Sequence, residues 1–281
     1  MLSSLFGLFS ALTWGAGDFT GGLVSRRAGI YRAAFYGECS GLIFLAIMLA
    51  VVREPLPGGP VWAISACAGA IGSVGLLMLF KAMVDGQMSV AAPVSALMAA
   101  VLPVIASSLT EGLPGLTKYC GFALALAAIW LISQGEGHQK KLHLHLADLR
   151  LPLFAGVCFG VYFILMHQAS RNATIWPMIF GRGAGSIVLF FFAAANHQLR
   201  WPDGRVAPLV FLNAAGDIAG NTFYILSGQF GRLDVAAVLG SLYPGTTVLL
   251  AGLILHERLN RAQWIGILAA LAAIVVMTIQ I

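Results

Sequence analysis

Ten apolar stretches, each about as long as a helix that crosses a bilayer, constrain this chain more than any other feature. A hydrocarbon core ~30 Å thick needs about 20 apolar residues in helical form. The stretches cover roughly 2–24, 32–52, 60–84, 89–109, 117–134, 151–169, 175–195, 206–229, 235–255 and 262–281. No water is available inside a bilayer, so each stretch must pair its own backbone groups, and a helix does this. The breaks carry charge or turn residues: Arg26-Arg27-Ala28-Gly29, Arg53-Glu54-Pro55, Pro57-Gly58-Gly59-Pro60, Asp85-Gly86 and Glu111-Gly112-Leu113-Pro114-Gly115. Only 10% of residues are charged, against about 25% in a soluble domain, so most of the surface must face something other than water. The chain is predicted to be an all-α, multi-pass integral protein of the cell inner (plasma) membrane, with ten transmembrane helices.

The formal charge of +5 does not indicate nucleic acid. The cations sit singly or in pairs between apolar runs and form no basic stripe. The first apolar run has no Lys or Arg before it, so it reads as a retained helix and not as a signal peptide. Cys39, Cys67, Cys120 and Cys158 lie inside apolar runs without CxxC spacing and read as buried small hydrophobes. His138, His143 and His145 in the central polar stretch lack a carboxylate or cysteine cluster, so no metal is expected. Lys140 and Lys141 beside them suit lipid headgroups. There is no GxxxxGK[ST], GxSxG or HExxH. No cofactor and no catalytic residue are predicted, and the chain is read as not an enzyme.

The two halves repeat. Ser25-Arg26 with Ala28 and Ile30 recurs as Ser170-Arg171 with Ala173 and Ile175, a shift of 145, and Phe35 recurs as Phe180. Ser95 and Glu111 are 16 residues apart, as are Ser241 and Glu257. The division is therefore a five-helix repeat at 1–134, a polar linker at 135–150 and a second five-helix repeat at 151–281. An odd number of spans per half turns the second half over in the membrane, giving two inverted repeats. In transporters built this way the substrate site lies at the repeat interface near the midplane.

Several segments carry a resemblance. Ala11-Leu12-Thr13-Trp14-Gly15 lies near the start. Ser241-Leu242-Tyr243-Pro244-Gly245-Thr246-Thr247 continues through Glu257-Arg258-Leu259 to Gln263-Trp264-Ile265-Gly266. A weaker copy runs from Ala92-Pro93-Val94-Ser95 through Glu111 to Gly121. Over nearly its whole length the chain resembles the drug/metabolite transporter superfamily and, within it, EamA-type proteins. The resemblance implies a 5+5 fold, a cavity lined by the first four helices of each half, peripheral fifth and tenth helices, and both termini in the cytoplasm. The cation count points the other way. Odd-numbered connections carry ten Lys and Arg (Arg26, Arg27, Arg32, Lys140, Lys141, Arg150, Arg200, Arg205, Arg258, Arg261), and even-numbered ones carry four (Arg53, Lys118, Arg171, Arg232). By the positive-inside rule that puts the termini outside, so both orientations stay open.

A charge inside a membrane helix costs at least ~2.5–3.5 kcal/mol on insertion scales and invites a functional reading. Asp18, Glu38, Arg182 and Asp217 are the candidates. At the shift of 145, Glu38 matches Gly183, beside Arg182, so the two charges can meet across the pseudo-two-fold axis. They would recognise an ionic or zwitterionic substrate, or Glu38 would exchange H+. The competing reading is a fixed ion pair that holds the halves in register. Asp18 either faces the cavity or reaches the interface. Asp217, between Gly216 and Gly220 with Asn221 beyond, reads as cavity-facing. Trp14, Tyr162, Tyr224 and Tyr243 offer apolar walls with a polar tip, or ordinary packing. Pro93, Pro103 and Pro244 predict kinks. Glu111 and Glu257 read as caps of the connections that follow them. Lys81 and Asp85 read as a snorkelling lysine with a local partner. Gly17-x-x-x-Gly21 packs helices within one chain or between two, which leaves monomer and homodimer open.

The expected function is a secondary transporter of a small organic metabolite (amino acid, sugar, nucleoside or drug-like solute). It works by alternating access, in contact with the lipid bilayer and with H+ as a candidate coupling ion. The substrate site is assigned to Glu38, Arg182, Asp217, Trp14, Asn221, Tyr243 and Asp18. The alternative is a channel or a sensory membrane protein without transport coupling.

Overall fold

The computed structural model describes residues 2–82, 88–132, 134, 149–256 and 259–278, with backbone alone for 88–93 and 278. Every regular element among the described residues is an α-helix. They are α1 (Leu2–Ala28), α2 (Ile30–Val52), α3 (Pro60–Ala82), α4 (Met88–Thr110), α5 (Leu116–Ile132), α6 (Arg150–Ala169), α7 (Ile175–Ala195), α8 (Ala207–Gln229), α9 (Leu233–Gly240), α10 (Tyr243–Ile254) and α11 (Arg261–Thr278). Among the described residues, six spans are long and apolar enough to cross a membrane: α2, α3, α6, α7, α8 and α9 with α10 together. Three shorter apolar helices cover Val94–Thr110, Leu116–Ile132 and Arg261–Met277.

The local chemistry sets the joints. α1 passes into α2 through Gly29 alone, at φ 92, a backbone conformation that glycine reaches without steric cost. Arg53 ends α2 in the left-handed conformation, with its N–H donating to the Leu49 carbonyl at 2.8 Å. Pro60 starts α3, where a missing N–H costs nothing. The kink expected at Pro244 is a full break just before it. Ser241 and Leu242 leave the helix, and Pro244 then sits in the first turn of α10. Proline has no N–H to give the preceding turn and disfavours helical geometry in the residue before it. By contrast, α4 continues through positions 93 and 103 without interruption.

Packing runs across the repeats more than within them. α1 lies against α8 as α6 lies against α3, and α1 against α9 and α10 as α6 against α4. α2 meets α7, and α5 meets α11 away from the centre. The register of 145 holds at the level of atoms. The Ser10 hydroxyl donates to the Gly220 carbonyl at 2.9 Å, while Gly75 packs on Ala155 and Cys158. Gly17 lies against the backbone of Asp217, and Gly72 against the ring of Tyr162. Gly17 and Gly21 therefore serve the α1–α8 contact inside one chain. The tightest approach is Gly69 on Gly181, where a side chain on Gly69 would overlap the Gly181 backbone.

The apolar surface faces outward. Leu109, Val51, Leu253 and Phe191 are exposed, as are Trp130 on α5 and Trp264 on α11. This suits a lipid environment. It also corrects one expectation: only Cys158 is buried, Cys39 is half-buried, and Cys67 and Cys120 are exposed on the outer surface. An apolar run in a membrane helix does not distinguish a protein-facing position from a lipid-facing one.

Candidate functional site

A cavity of about 120 Å³ lies between the two halves. Its lining comes from α1, α2, α3, α4, α6, α7, α8 and α10, while α5 and α11 contribute nothing to it. All seven residues assigned to the site from sequence border it: Trp14, Asp18, Glu38, Arg182, Asp217, Asn221 and Tyr243.

Arg182 is the centre of the polar network. Its Nη1 donates to Glu38 Oε2 at 3.1 Å, and its Nη2 pairs with Asp217 Oδ2. Glu38 and Arg182 side chains are each 11% exposed, whereas Asp217 is 38% exposed, so Asp217 is the member open to a ligand. Ser73 Oγ lies 3.4 Å from Glu38 Oε1 and donates to it. Tyr162 Oη donates to Asn221 Oδ1, and Asn221 Nδ2 donates to the Asp217 carbonyl at 2.8 Å. The sequence expected Glu38 and Arg182 to face each other. It did not anticipate that Asp217 shares the arginine or that Ser73 joins the cluster.

Asp18 borders the cavity, ten residues before α1 ends at Ala28. The Trp14 ring stacks on Phe163 at 5.4 Å and fits against Gly220 and Gly240. Tyr224 is different. It is buried behind the wall, with its hydroxyl donating to the Phe163 carbonyl at 2.9 Å, so it supports the site without lining it.

The repeat gives the charges a meaning. At a shift of 145, Asp18 corresponds to Phe163, Glu38 to Gly183, Arg182 to Gly37 and Asp217 to Gly72. The scaffold thus holds glycine or phenylalanine at each symmetry-related place. Each of these charges is therefore present in one copy, with no charged counterpart at the matching position of the other repeat.

Two further carboxylates tie the halves together outside the cavity. Glu54 accepts the backbone N–H of Thr174 (2.8 Å), Ile175 (3.0 Å) and Trp176 (3.0 Å), while Trp176 Nε1 donates to the Glu54 carbonyl at 2.9 Å. It caps the start of α7, where orphan N–H groups and the helix dipole favour an anion. A Glu in a short Pro-flanked break gave no signal of this. Glu111 corrects another expectation. It does not cap its own connection but accepts from Ser107 Oγ at 3.1 Å and reaches Leu233 N at 3.4 Å and His167 Nε2 at 3.6 Å. Arg232 closes this cluster on Asp234, the Glu111 carbonyl and the Gly112 carbonyl. Hydrogen bonding to Asp234 raises the Arg232 pKa, which keeps it charged. Lys81 is exposed, while Asp85, Glu257, His138, Lys140, Lys141, His143 and His145 lie outside the described residues.

No curated protein matches the chain by sequence. A solved protein crystal structure, 19% identical, superposes with a TM-score of 0.77 over 98% of this chain and 96% of its own, which shows a shared fold. Residues 1–134 and 149–279 match the EamA-like transporter family. That family belongs to the drug/metabolite transporters and consists of transporters, not enzymes. With a match across both halves and an all-helical, lipid-facing fold around a charged cavity, this chain belongs to the EamA-like transporter family.

Proposed function

We propose that the chain is a secondary transporter that carries a small organic metabolite across the inner membrane by alternating access. Ten spans are counted by taking α9 and α10 as one, interrupted at Ser241 and Leu242. Five spans in 1–134 and five in 151–281, joined by 135–150, make the repeats inverted, and the cross-repeat packing of α1–α8 with α3–α6 agrees with that. Rocking one half against the other opens the cavity to each side in turn.

The observation that carries this reading is the placement of single-copy charges at the repeat interface. Arg182 belongs to the second half and Glu38 to the first, so their bond crosses the surface that must move. Asp217, Asn221, Trp14, Tyr243 and Asp18 complete the binding wall. Glu38 has one strong partner, which a substrate or H+ can compete for, and so it is the proposed coupling residue. The described lining of the cavity comes from one chain, so a monomer suffices to form it.

The test is Glu38→Gln in proteoliposomes. The variant keeps a hydrogen-bonding side chain at the site, inserts and folds, and loses proton-driven uptake of a metabolite mixture that the wild type accumulates. Uptake and pH dependence equal to wild type would remove Glu38 from the mechanism.

A further inference from the structure

We infer that the transported solute is an organic cation with an apolar or aromatic body, and that Asp18 is its counter-ion. This rests on the proposal that the cavity is the substrate site. Among the described residues, the lining holds three carboxylates and one guanidinium. Ionised, they sum to 3 − 1 = 2 negative charges in excess. The guanidinium is already spent, because Arg182 bonds both Glu38 and Asp217. An anion, or the carboxylate of a zwitterion, would have to displace two partners to reach it.

Asp18 is in the opposite position. It makes no hydrogen bond or ion pair among the described residues, and yet it sits inside a membrane helix. A carboxylate there needs a positive partner, and among the described residues the cavity wall offers none besides Arg182. The position is also one the scaffold fills with Phe163 in the other repeat, so the acid serves no shared structural need. The surrounding wall suits the rest of the ligand. Trp14, Phe163 and Tyr243 border the same space, and aromatic faces attract cations through their negative quadrupole. Asp18 and these rings together bind a charge on an apolar body. A neutral sugar could hydrogen-bond the acid but would leave its charge uncompensated.

The experiment uses the full chain in lipid nanodiscs with three probes that share one ring and differ in charge: phenethylamine (cation), phenylalanine (zwitterion) and 3-phenylpropanoate (anion). Binding is read by calorimetry at neutral pH. The cation is expected to bind at least about tenfold tighter than either of the others, and Asp18→Asn to weaken it at least about tenfold. Asp18→Glu restores the charge and recovers the binding, which separates loss of the counter-ion from misfolding. Equal or tighter binding of the anion or the zwitterion, no binding of the cation, or unchanged cation affinity in Asp18→Asn overturns the inference.

Proteoliposome flux of radiolabelled phenyltrimethylammonium, a permanent cation, separates this inference from the transport reading. Binding of phenethylamine with no flux of either cation would keep the charge assignment and refute transport. Flux of phenylalanine with the cations inert would keep transport and refute the charge assignment.

Discussion

Replacing Arg182 with Gln removes the only cation lining the cavity among the described residues and leaves Glu38 and Asp217 without a cationic partner, with Ser73 still donating to Glu38. Breaking a buried ion pair from one side costs ~3–5 kcal/mol, because a charge is stranded in a poorly solvated place. Glu38 is 11% exposed and counts nearly in full, whereas Asp217 at 38% is partly solvated and counts less. The loss should therefore lie near the lower figure, about 3 kcal/mol. Glu38→Gln is milder. Arg182 keeps Asp217, and one charged bond becomes a neutral one, a change of about 1 kcal/mol. Neutralising the whole cluster with Glu38→Gln, Arg182→Gln and Asp217→Asn together strands no charge. That variant should return to within ~1 kcal/mol of wild type.

The assay is unfolding of the purified protein in mixed micelles, by SDS titration and by melting. At roughly 2–4 °C per kcal/mol for a chain of this size class, the Arg182→Gln variant should melt on the order of 6 °C or more below wild type. Wild type, the triple variant and Glu38→Gln should lie within about 1 kcal/mol of one another, with Arg182→Gln well below all three, while all three variants lose transport. A triple variant as unstable as Arg182→Gln would show that stranded charge is not the cause of the loss. It would mean that the cluster is a clamp the fold depends on.

Two other outcomes follow from the packing. Gly69→Ala places a methyl group inside the Gly181 backbone, so folded yield from membranes should collapse. Gly58→Ala, with open space around it, should leave the yield unchanged, and equal yields for the two would contradict the α3–α7 approach. Glu54→Gln removes the charge from three backbone N–H groups at the start of α7. It should cost about 1–2 kcal/mol in the same unfolding assay, with substrate binding intact because Glu54 does not border the cavity.

The sequence made the spans legible because length and hydropathy in a bilayer admit few alternatives. The repeat then carried the argument further than hydropathy alone. It put Glu38 and Arg182 at nearly equivalent places, and the structure joins them at 3.1 Å. What stayed hidden depends on contacts between distant segments. The capping role of Glu54 requires knowing that the end of α2 lies beside the start of α7. The bridge from Glu111 to His167 and the start of α9 requires the ends of α4, α6 and α8 to converge. Tyr162 and Tyr224 look alike in sequence, yet Tyr162 lines the cavity while Tyr224 is buried behind it. Helix rotation decides that, and a helix apolar on every side does not reveal its rotation. The exposed Cys67 and Cys120 teach the same point from the lipid side.

The central claim is that the cavity opens alternately to the two sides of the membrane. It is tested most directly by a single cysteine at Ser73, beside Glu38 in the cavity wall, with Cys39, Cys67, Cys120 and Cys158 replaced by Ala. The labelling rate is measured with a membrane-impermeant thiol reagent applied to one side at a time, in vesicles of known orientation. Labelling is expected from both sides, with any ligand that binds raising one rate and lowering the other. Labelling from one side only, or two rates that rise and fall together, would contradict it.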